Sequence, residues 1–330
     1  MIEQAVILAV GRGLRLGPLT KDRPRAMLPV LGKPMVVRIM DRMKDAGIKR
    51  FVVVLGEHEG AVASYLNTSW VPDAEIKFVL QTEPRGLTHA LSLATPFING
   101  PFLLTSTDNL TSGAHITQLL KRFDDYKGDM VVSITSATPD DVERAAVITV
   151  NGTRIIGIAE KTLAHRSQIV FLLHACSQRL LNYLHTKTGS PSDDREFVRP
   201  IQALIEADGK LTFLNAEWRL SLVRELDLLA INKRFLREGR DAHILSELPG
   251  SVHIIPPVRI DPKVSVGLNA KIGPNVYLES GASIGQDAVV WDSVVLRDAS
   301  VQPGEVLHGL IVAKRARLSE APLEQTPDAL

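Results

Sequence analysis

The sequence has little cysteine, few aromatic residues, almost no net charge and no long apolar run. Cys176 is the only cysteine among 330 residues, which excludes an intrachain disulfide and a cysteine-rich zinc site. Aromatic residues make up 5%, too few for a platform that stacks single-stranded nucleic acid. With 38 Lys+Arg against 37 Asp+Glu, the formal net charge is +1, which argues against a polybasic nucleic-acid-binding or membrane-surface protein.

The apolar stretches are also too short to cross a membrane. None reaches the ~18–20 residues that a spanning helix needs. The N-terminal stretch has no basic segment before it and runs directly into Gly11 and Gly13, unlike a secretory signal peptide. We therefore expect a cytoplasmic protein with neither a membrane nor a nucleic acid as partner. Cys176 follows the apolar residues Leu172 and Leu173 closely, which indicates a buried structural thiol.

Residues 1 to about 235 alternate short β-branched runs with longer amphipathic stretches. This alternation predicts an α/β fold, a Rossmann-like and mostly parallel sheet covered by helices on both faces. The dipeptide Asn151-Gly152 adds an antiparallel hairpin to it. The predicted strands are Ala5–Val10, Arg50–Leu55, Ile76–Leu80, Pro101–Thr105 and Asp129–Ile134, and the predicted helices are 34–47, 59–67, 87–95, 113–123 and 224–238.

A different period begins near residue 260. Aliphatic residues recur every six positions, at Ile260, Val266, Ile272, Leu278, Ile284, Val290 and Leu296. A sustained period of six is typical of a parallel β-helix with its aliphatic residues inside, and it resembles the hexapeptide repeat of left-handed β-helices. We expect an α/β domain over 1–238, a linker over 239–251, a small left-handed β-helix with its cap over 252–318 and a flexible tail over 319–330.

The positions just before the inward residues of this repeat should point outward. Among them are Tyr277, Val289, Val295 and Val301, and Tyr277 and Val295 should stack on one face. Because exposed apolar rows often mark contacts, we expect a homo-oligomer formed through the β-helix, or docking of segment 305–318 over that face.

The first strand–helix junction carries the residues that point to chemistry. Gly11 and Gly13 free backbone N–H groups to approach a phosphate. Two glycines alone are also compatible with a different interpretation, in which a tight turn only packs a helix against a strand and binds no phosphate. Guanidinium groups fork onto phosphate oxygens, and the local positive charge is expected from Arg12, Arg15, Arg23 and Arg25.

The segments around this junction resemble the sugar-nucleotide pyrophosphorylases. Their signature is L-A-A-G-x-G-T-R-L-x-P-L-T, then P-K-x-L/M-x-P-V and P-M. Residues 8–20 read LAVGRGLRLGPLT, residues 23–30 read RPRAMLPV and residues 33–35 read KPM. Further segments follow in the family's order: QTEPRGLTHA at 81–90, TDN at 107–109, GIAEK at 157–161, Trp218 and DLLAIN at 227–232. Several family members also carry a C-terminal left-handed β-helix.

The resemblance implies an enzyme that joins a sugar 1-phosphate to a nucleoside triphosphate and releases pyrophosphate. It favours glucose 1-phosphate with dTTP or UTP, and mannose 1-phosphate with GTP is an open alternative. It implies a nucleotide site at Leu8, Ala9, Gly11, Gly13, Gln81 and Gly86, a sugar-phosphate site at Glu160 and Lys161, and catalytic roles for Arg15, Arg25 and Asp108, with Asp108 holding Mg2+.

Several positions depart from the family pattern. Leu14 replaces a threonine and Arg25 replaces a lysine, a change that keeps the charge but alters its geometry. Ser221 falls where the family has its second metal-binding aspartate. A ligand-binding or regulatory protein of the same fold, with weakened turnover, is therefore a second hypothesis. An acyltransferase built on the β-helix is a third, although only His253 and His308 flank the repeat.

Overall fold

The structure is a computed structural model that describes residues 1–11, 13–70, 73–137, 145–161, 168–184, 194–239 and 241–319. The chain divides into two compact units. The first consists of Met1–Arg12, Pro24–Met27 and Met35–Ser221, and the second of Gly13–Arg23, Leu28–Pro34 and Leu222–Leu330. Neither unit is a single continuous segment, and the domain boundaries expected from composition stay a prediction.

The secondary structure of residues 1–239 has thirteen strands and six α-helices among the described residues. The strands are β1 (Gln4–Ala9), β2 (Pro29–Val30), β3 (Lys33–Pro34), β4 (Arg50–Gly56), β5 (Glu75–Gln81), β6 (Phe102–Ser106), β7 (Asn109–Leu110), β8 (Met130–Ser136), β9 (Ala145–Asn151), β10 (Arg154–Lys161), β11 (Gln168–Cys176), β12 (Leu211–Asn215) and β13 (Leu220–Ser221). The helices are α1 (Met35–Asp45), α2 (Gly60–Thr68), α3 (Leu87–Ala94), α4 (Gly113–Tyr126), α5 (Val198–Glu206) and α6 (Asp227–Glu238).

A seven-stranded sheet in the order β12-β8-β11-β6-β1-β4-β5 forms the centre of the first unit. Every pair in it is parallel except those of β11, which runs antiparallel to β6 and β8. All six residues of β1 are buried, as expected for a parallel strand covered on both faces. The mostly parallel α/β fold is thus confirmed, together with the five predicted strands, the five predicted helices and the β9–β10 hairpin. Strands β11 and β12 and helix α5 were not predicted.

One face of the sheet packs against helices through a buried core that includes Leu8, Leu104 and Val132. Cys176 belongs to this core and is fully buried, which confirms the structural thiol. Burial raises the pKa of that thiol far above its ordinary value, so a nucleophilic thiolate is disfavoured. The described helices include none that is long and apolar enough to span a membrane.

The C-terminal strands of the second unit stack in parallel coils. They are β14 (His253–Ile254), β15 (Val258–Ile260), β16 (Ser265–Val266), β17 (Lys271–Ile272), β18 (Val276–Leu278), β19 (Ser283–Ile284), β20 (Val289–Trp291), β21 (Val294–Val295), β22 (Ser300–Val301), β23 (Val306–His308), β24 (Ile311–Ala313) and β25 (Ala316–Leu318). They form three ladders, parallel except for the final β24–β25 pair. This arrangement is consistent with a β-helix, and its left hand stays a prediction.

The coil shortens by one residue after β20. Partners such as His253 and Lys271 are 18 apart in sequence, whereas Tyr277 pairs with Val294, 17 residues on. The phase of the repeat therefore shifts, and Val295, not Leu296, lies opposite Leu278. Val295 and Val301 join the inner core, so the prediction that they point outward is wrong.

The predicted exposed apolar row is absent from the described coils for a second reason. Tyr277 does not pair with Val295 and is fully buried. Residues 306–308 and 311–313 continue the parallel ladders and do not fold back over an outer face, which corrects the docking expected of segment 305–318. A homo-oligomer stays a prediction that this row no longer supports.

Two buried histidines of the first unit make its stability depend on pH. Nε2 of His115 lies 2.9 Å from the Ser133 hydroxyl, and Nδ1 of His174 lies 3.4 Å from the Ser133 backbone nitrogen. Burial lowers the pKa of each imidazole to about 4, whereas an unfolded chain takes up these protons near pH 6.5. The neutral imidazoles therefore stabilise the fold fully above pH 6.5 and less as pH falls from 6.5 towards 4.

We predict that the free energy of unfolding falls on the order of 1–2 kcal/mol per histidine between pH 7.5 and pH 5. Denaturant titrations at the two pH values measure it. His115→Gln, which places an uncharged amide near Ser133 in place of the imidazole, should reduce the pH-dependent loss. An equal loss in His115→Gln and in the unmodified protein would contradict the assignment to this residue.

Candidate active site

The carboxyl ends of β1 and β6 define the candidate site. These two strands are parallel neighbours, with Leu8 opposite Ser106. Strands β4 and β5, which follow β1 in the sequence, lie on one side of β1 in the sheet, whereas β6 lies on its other side. Ligands of open parallel sheets bind where the strand order reverses in this way. Gly11 follows β1 and Asp108 follows β6, while Leu8 and Ala9 lie buried within β1.

An ion pair between Arg25 and Asp108 occupies this edge. Nη1 of Arg25 donates to Oδ2 of Asp108 at 2.9 Å. Oδ1 of Asp108 accepts from the Ser106 hydroxyl and, at 2.9 Å, from Nδ2 of Asn109. Both carboxylate oxygens therefore have donors, and the two side chains are 15% and 14% exposed. The ion pair holds the Arg25 guanidinium in a defined orientation at the carboxyl ends of β1 and β6.

Gly11 makes room for that guanidinium. Its φ is +145°, a conformation that glycine adopts readily. A Cβ built at this position would lie 3.3 Å from Nη2 of Arg25. The Arg25 side chain thus packs directly against the backbone of Gly11. The Nε of Arg25 is buried without a hydrogen-bond partner among the described residues.

A second polar group lies around Gln81, at the carboxyl end of β5. The Gln81 amide nitrogen donates to the Gly86 carbonyl oxygen at 3.0 Å and lies 2.9 Å from Nδ1 of His89. Glu196 accepts from the backbone N–H and the hydroxyl of Thr88 at 3.2 and 3.3 Å. The structure therefore brings Gln81 and Gly86 together. The resemblance assigns both residues to the base of the nucleotide.

Ser221 lies beside the Asp108 turn. Strand β13 pairs antiparallel with β7, which places Ser221 opposite Asn109. The position at which the resemblance expects a second carboxylate is thus next to the first, and a hydroxyl stands there. Among the described residues, no group of three or more His, Cys, Asp or Glu side chains could hold a metal ion. Asp108 is the carboxylate that the resemblance assigns to a metal at this edge.

The other expected residues have different surroundings. Glu160 is exposed near the end of β10, and the side chain of Lys161 lies outside the described part of the chain. Gly13 and Arg15 belong to the second unit, where Arg15 is exposed. Arg12 is outside the described residues.

Arg23 has a carboxylate partner. Both of its terminal nitrogens donate to Glu279, at 2.6 and 2.9 Å, and its contribution to a triphosphate site stays a prediction.

Sequence reasoning missed Ser106, Asn109, Glu196 and the contact of His89. Ser106 and Asn109 lie within two residues of Asp108 in the sequence, and this proximity was the available signal. Glu196 is 108 residues from Thr88, and no local pattern connects the two.

The fold and the site together define an α/β protein with a mostly buried arginine–aspartate pair at the switch point of its sheet. Residues 4–172, about half of the chain, match the nucleotidyl transferase family. The chain belongs to this family and is an enzyme. Residues 254–322 match a second family, described as the GMPPB C-terminal domain.

Named relatives agree with this placement. The chain is 28% identical over 224 residues to the UTP–glucose-1-phosphate uridylyltransferase AglF of Haloferax volcanii, covering 66% of this chain and 90% of AglF. It is 22% identical to a glucose-1-phosphate thymidylyltransferase of Streptomyces griseus, covering 97% and 94%. A crystal structure of UDP-glucose pyrophosphorylase with UDP-glucose is similar in fold, with a TM-score of 0.63 at 19% identity, and covers 72% of this chain and all of that one (100%).

The contact between Gly86 and Glu196 yields a test of the local geometry. Gly86 has φ +94° and Gly100 has φ +87°. A Cβ at Gly86 would overlap the Glu196 carboxylate, whereas a Cβ at Gly100 would meet nothing within 4 Å. Alanine at Gly100 should cost the backbone strain alone, about 1–2 kcal/mol.

We predict that Gly86→Ala lowers the free energy of unfolding by at least about 1 kcal/mol more than Gly100→Ala, because φ +94° with ψ −179° is a conformation that essentially glycine alone adopts, and because the Glu196 carboxylate would have to move. Chemical denaturation of the two variants measures the difference. Equal losses would show that Glu196 does not pack against Gly86 as described.

Proposed function

We propose that this enzyme joins glucose 1-phosphate to UTP or dTTP and releases pyrophosphate. The ordered motifs from residue 8 to residue 232 support a sugar 1-phosphate nucleotidyltransferase, and so does membership of the nucleotidyl transferase family. The relatives named for glucose-1-phosphate uridylyl and thymidylyl transfer favour this sugar and these two bases. The observation that carries the proposal is the Arg25–Asp108 pair at the sheet's switch point.

The reaction is a displacement at the α-phosphorus of the triphosphate. A phosphate oxygen of the sugar 1-phosphate forms a bond to this phosphorus, and the bond to the bridging oxygen of pyrophosphate breaks. Such chemistry depends on alignment and charge stabilisation more than on covalent catalysis. Arg25 offers several N–H donors on one rigid plane, and Nη1 is the donor used by Asp108. The remaining donors would bind the phosphate oxygens that gain charge.

The donor set fits Mg2+ as a site with one carboxylate. Magnesium is often held by one or two carboxylates with substrate phosphates and water, and Asp108 would be the protein ligand. When bound there, Mg2+ would neutralise triphosphate charge. Ser221 would contribute at most a neutral oxygen.

The nucleotide and sugar sites follow the residues named above. Gly11 and Gly13 would present backbone N–H groups, Gln81 and Gly86 would contact the base, and Arg15 would neutralise triphosphate charge. Glu160 and Lys161 would bind the sugar phosphate. A cytoplasmic location also stays a prediction.

A second candidate function is nucleotide binding without efficient turnover. The observation in its favour is that Asp108 is already paired with Arg25 and that Ser221 stands beside it. Pyrophosphate release separates the two functions when UTP, dTTP, GTP, CTP and ATP are each offered with glucose 1-phosphate and mannose 1-phosphate. Nucleotide binding with no turnover of any pair would reject the proposed function, and preference for mannose 1-phosphate with GTP would reject the proposed substrates.

We predict that Asp108→Asn lowers kcat/KM by at least about 100-fold, because it removes the carboxylate partner of Arg25 and the expected metal ligand. Asp208→Asn is the matched control, since Asp208 also pairs with an arginine, Arg154, but is 91% exposed. The control should leave kcat/KM unchanged. Full activity of Asp108→Asn would reject its assigned role.

We also predict that Ser221→Asp lowers the Mg2+ concentration needed for half-maximal rate by several-fold, since a second carboxylate beside Asp108 strengthens an oxygen-ligand site. Ser221→Asn, similar in size and neutral, should not lower it. An unchanged magnesium requirement in Ser221→Asp would show that this side chain does not reach the metal.

A further inference from the structure

Buried polar contacts connect segments 13–23 and 28–34 to strand β18 and to Glu279, the residue that follows it, within the second unit. Arg23 forms a forked ion pair with Glu279, through Nη1 to Oε1 at 2.6 Å and Nη2 to Oε2 at 2.9 Å. Glu279 is 5% exposed, and its Oε2 also accepts from the Arg297 backbone nitrogen at 2.8 Å. A desolvated bidentate pair of this kind fixes geometry more firmly than a surface pair.

Tyr277 holds a second point of the segment. Its hydroxyl accepts from the Gly32 backbone N–H at 3.1 Å and donates to Oδ2 of Asp261 at 2.8 Å. Burial raises the pKa of Tyr277, which keeps the phenol protonated and able to do both. Gly32 has φ +77°, and a Cβ there would overlap the Arg259 guanidinium. The backbone approaches the β-helix strands as closely as glycine allows.

Helix α6 supplies the third contact, through Asn232. Its Oδ1 accepts from the Leu31 N–H at 2.9 Å, and its Nδ2 donates to the Pro29 carbonyl at 3.2 Å. Asn232 is fully buried. Residues 24–27, which include Arg25, lie in sequence between two stretches that are both fixed within the second unit, 13–23 and 28–34.

We propose that Glu279 and Tyr277 are positioning residues that hold segments 13–23 and 28–34 in the conformation that binds the nucleoside triphosphate. The inference rests on the proposed function. A glycine-rich loop that is ordered before binding loses less conformational freedom when its ligand arrives, so anchoring strengthens binding without any direct contact to the ligand. The C-terminal strands thereby serve the nucleotide site, whatever they contribute to assembly.

The test compares Glu279→Gln and Tyr277→Phe with Glu305→Gln, in the full chain. Glu305 also pairs with an arginine, Arg317, on the same set of coils but outside this network, so it is the matched control. Amide hydrogen exchange without ligand should speed up at residues 13–34 in the two variants and not in the control. The Kd for UTP or dTTP, by calorimetry, should rise at least tenfold in the two variants.

A kinetic comparison distinguishes positioning from general destabilisation. The KM for the nucleotide should rise much more than the KM for the sugar 1-phosphate, which should change less than twofold. Arg23→Gln combined with Glu279→Gln should weaken nucleotide binding no more than either change alone, because both remove one pair. If Glu279→Gln does not fold, Tyr277→Phe, which leaves the ion pair intact, provides the test.

Three results would overturn the inference: unchanged exchange at 13–34, faster exchange with an unchanged nucleotide Kd, or additive losses in the double variant. Nucleotide binding by the unmodified protein without turnover would reject the proposed function and leave these readouts valid. An unmodified protein that binds no nucleotide would reject both.

Discussion

The ion pair between Arg25 and Asp108 is the interaction on which the candidate site depends. The Arg25 guanidinium lies against the backbone of Gly11, and the second oxygen of Asp108 accepts hydrogen bonds from Ser106 and Asn109. Residues of the turn after β1 and of the turn after β6 thus contact the same ion pair. Because a half-buried charge is stable only with a partner, losing either residue would leave the other one uncompensated at the mouth of the site.

Much of the α/β fold could be predicted from the sequence because its signals are local. Strands β1, β4 and β6 are continuous apolar runs, and the helices between them are amphipathic. Strand β11 is equally apolar, but its antiparallel direction depends on pairing with β6 and β8, which are far apart in the chain. The period of 2 or 3.6 residues identifies an element and says nothing about its neighbours.

The C-terminal coils show where periodicity stops being sufficient. The six-residue period identified the inner residues up to Val290, because every coil before that point has the same length. One residue fewer after β20 changed the phase, and Val295 moved inward. The sequence also gave no sign that Tyr277 lies under Gly32, a contact that spans 245 residues. An outward position in a repeat means exposure only where no other segment covers it.

Of the departures from the family's pattern, Ser221 changes the charge of the site and Arg25 changes the geometry of its donors. An aspartate at position 221 would place two carboxylates near the phosphates and would require a dication between them. With Ser221 there, the local carboxylate is Asp108, and its charge is already balanced by Arg25. An arginine provides more directed donors than the family's lysine, so it can neutralise a carboxylate and still present N–H groups to a phosphate. The serine lowers the need for positive charge, and the arginine increases the number of directed N–H donors without adding charge.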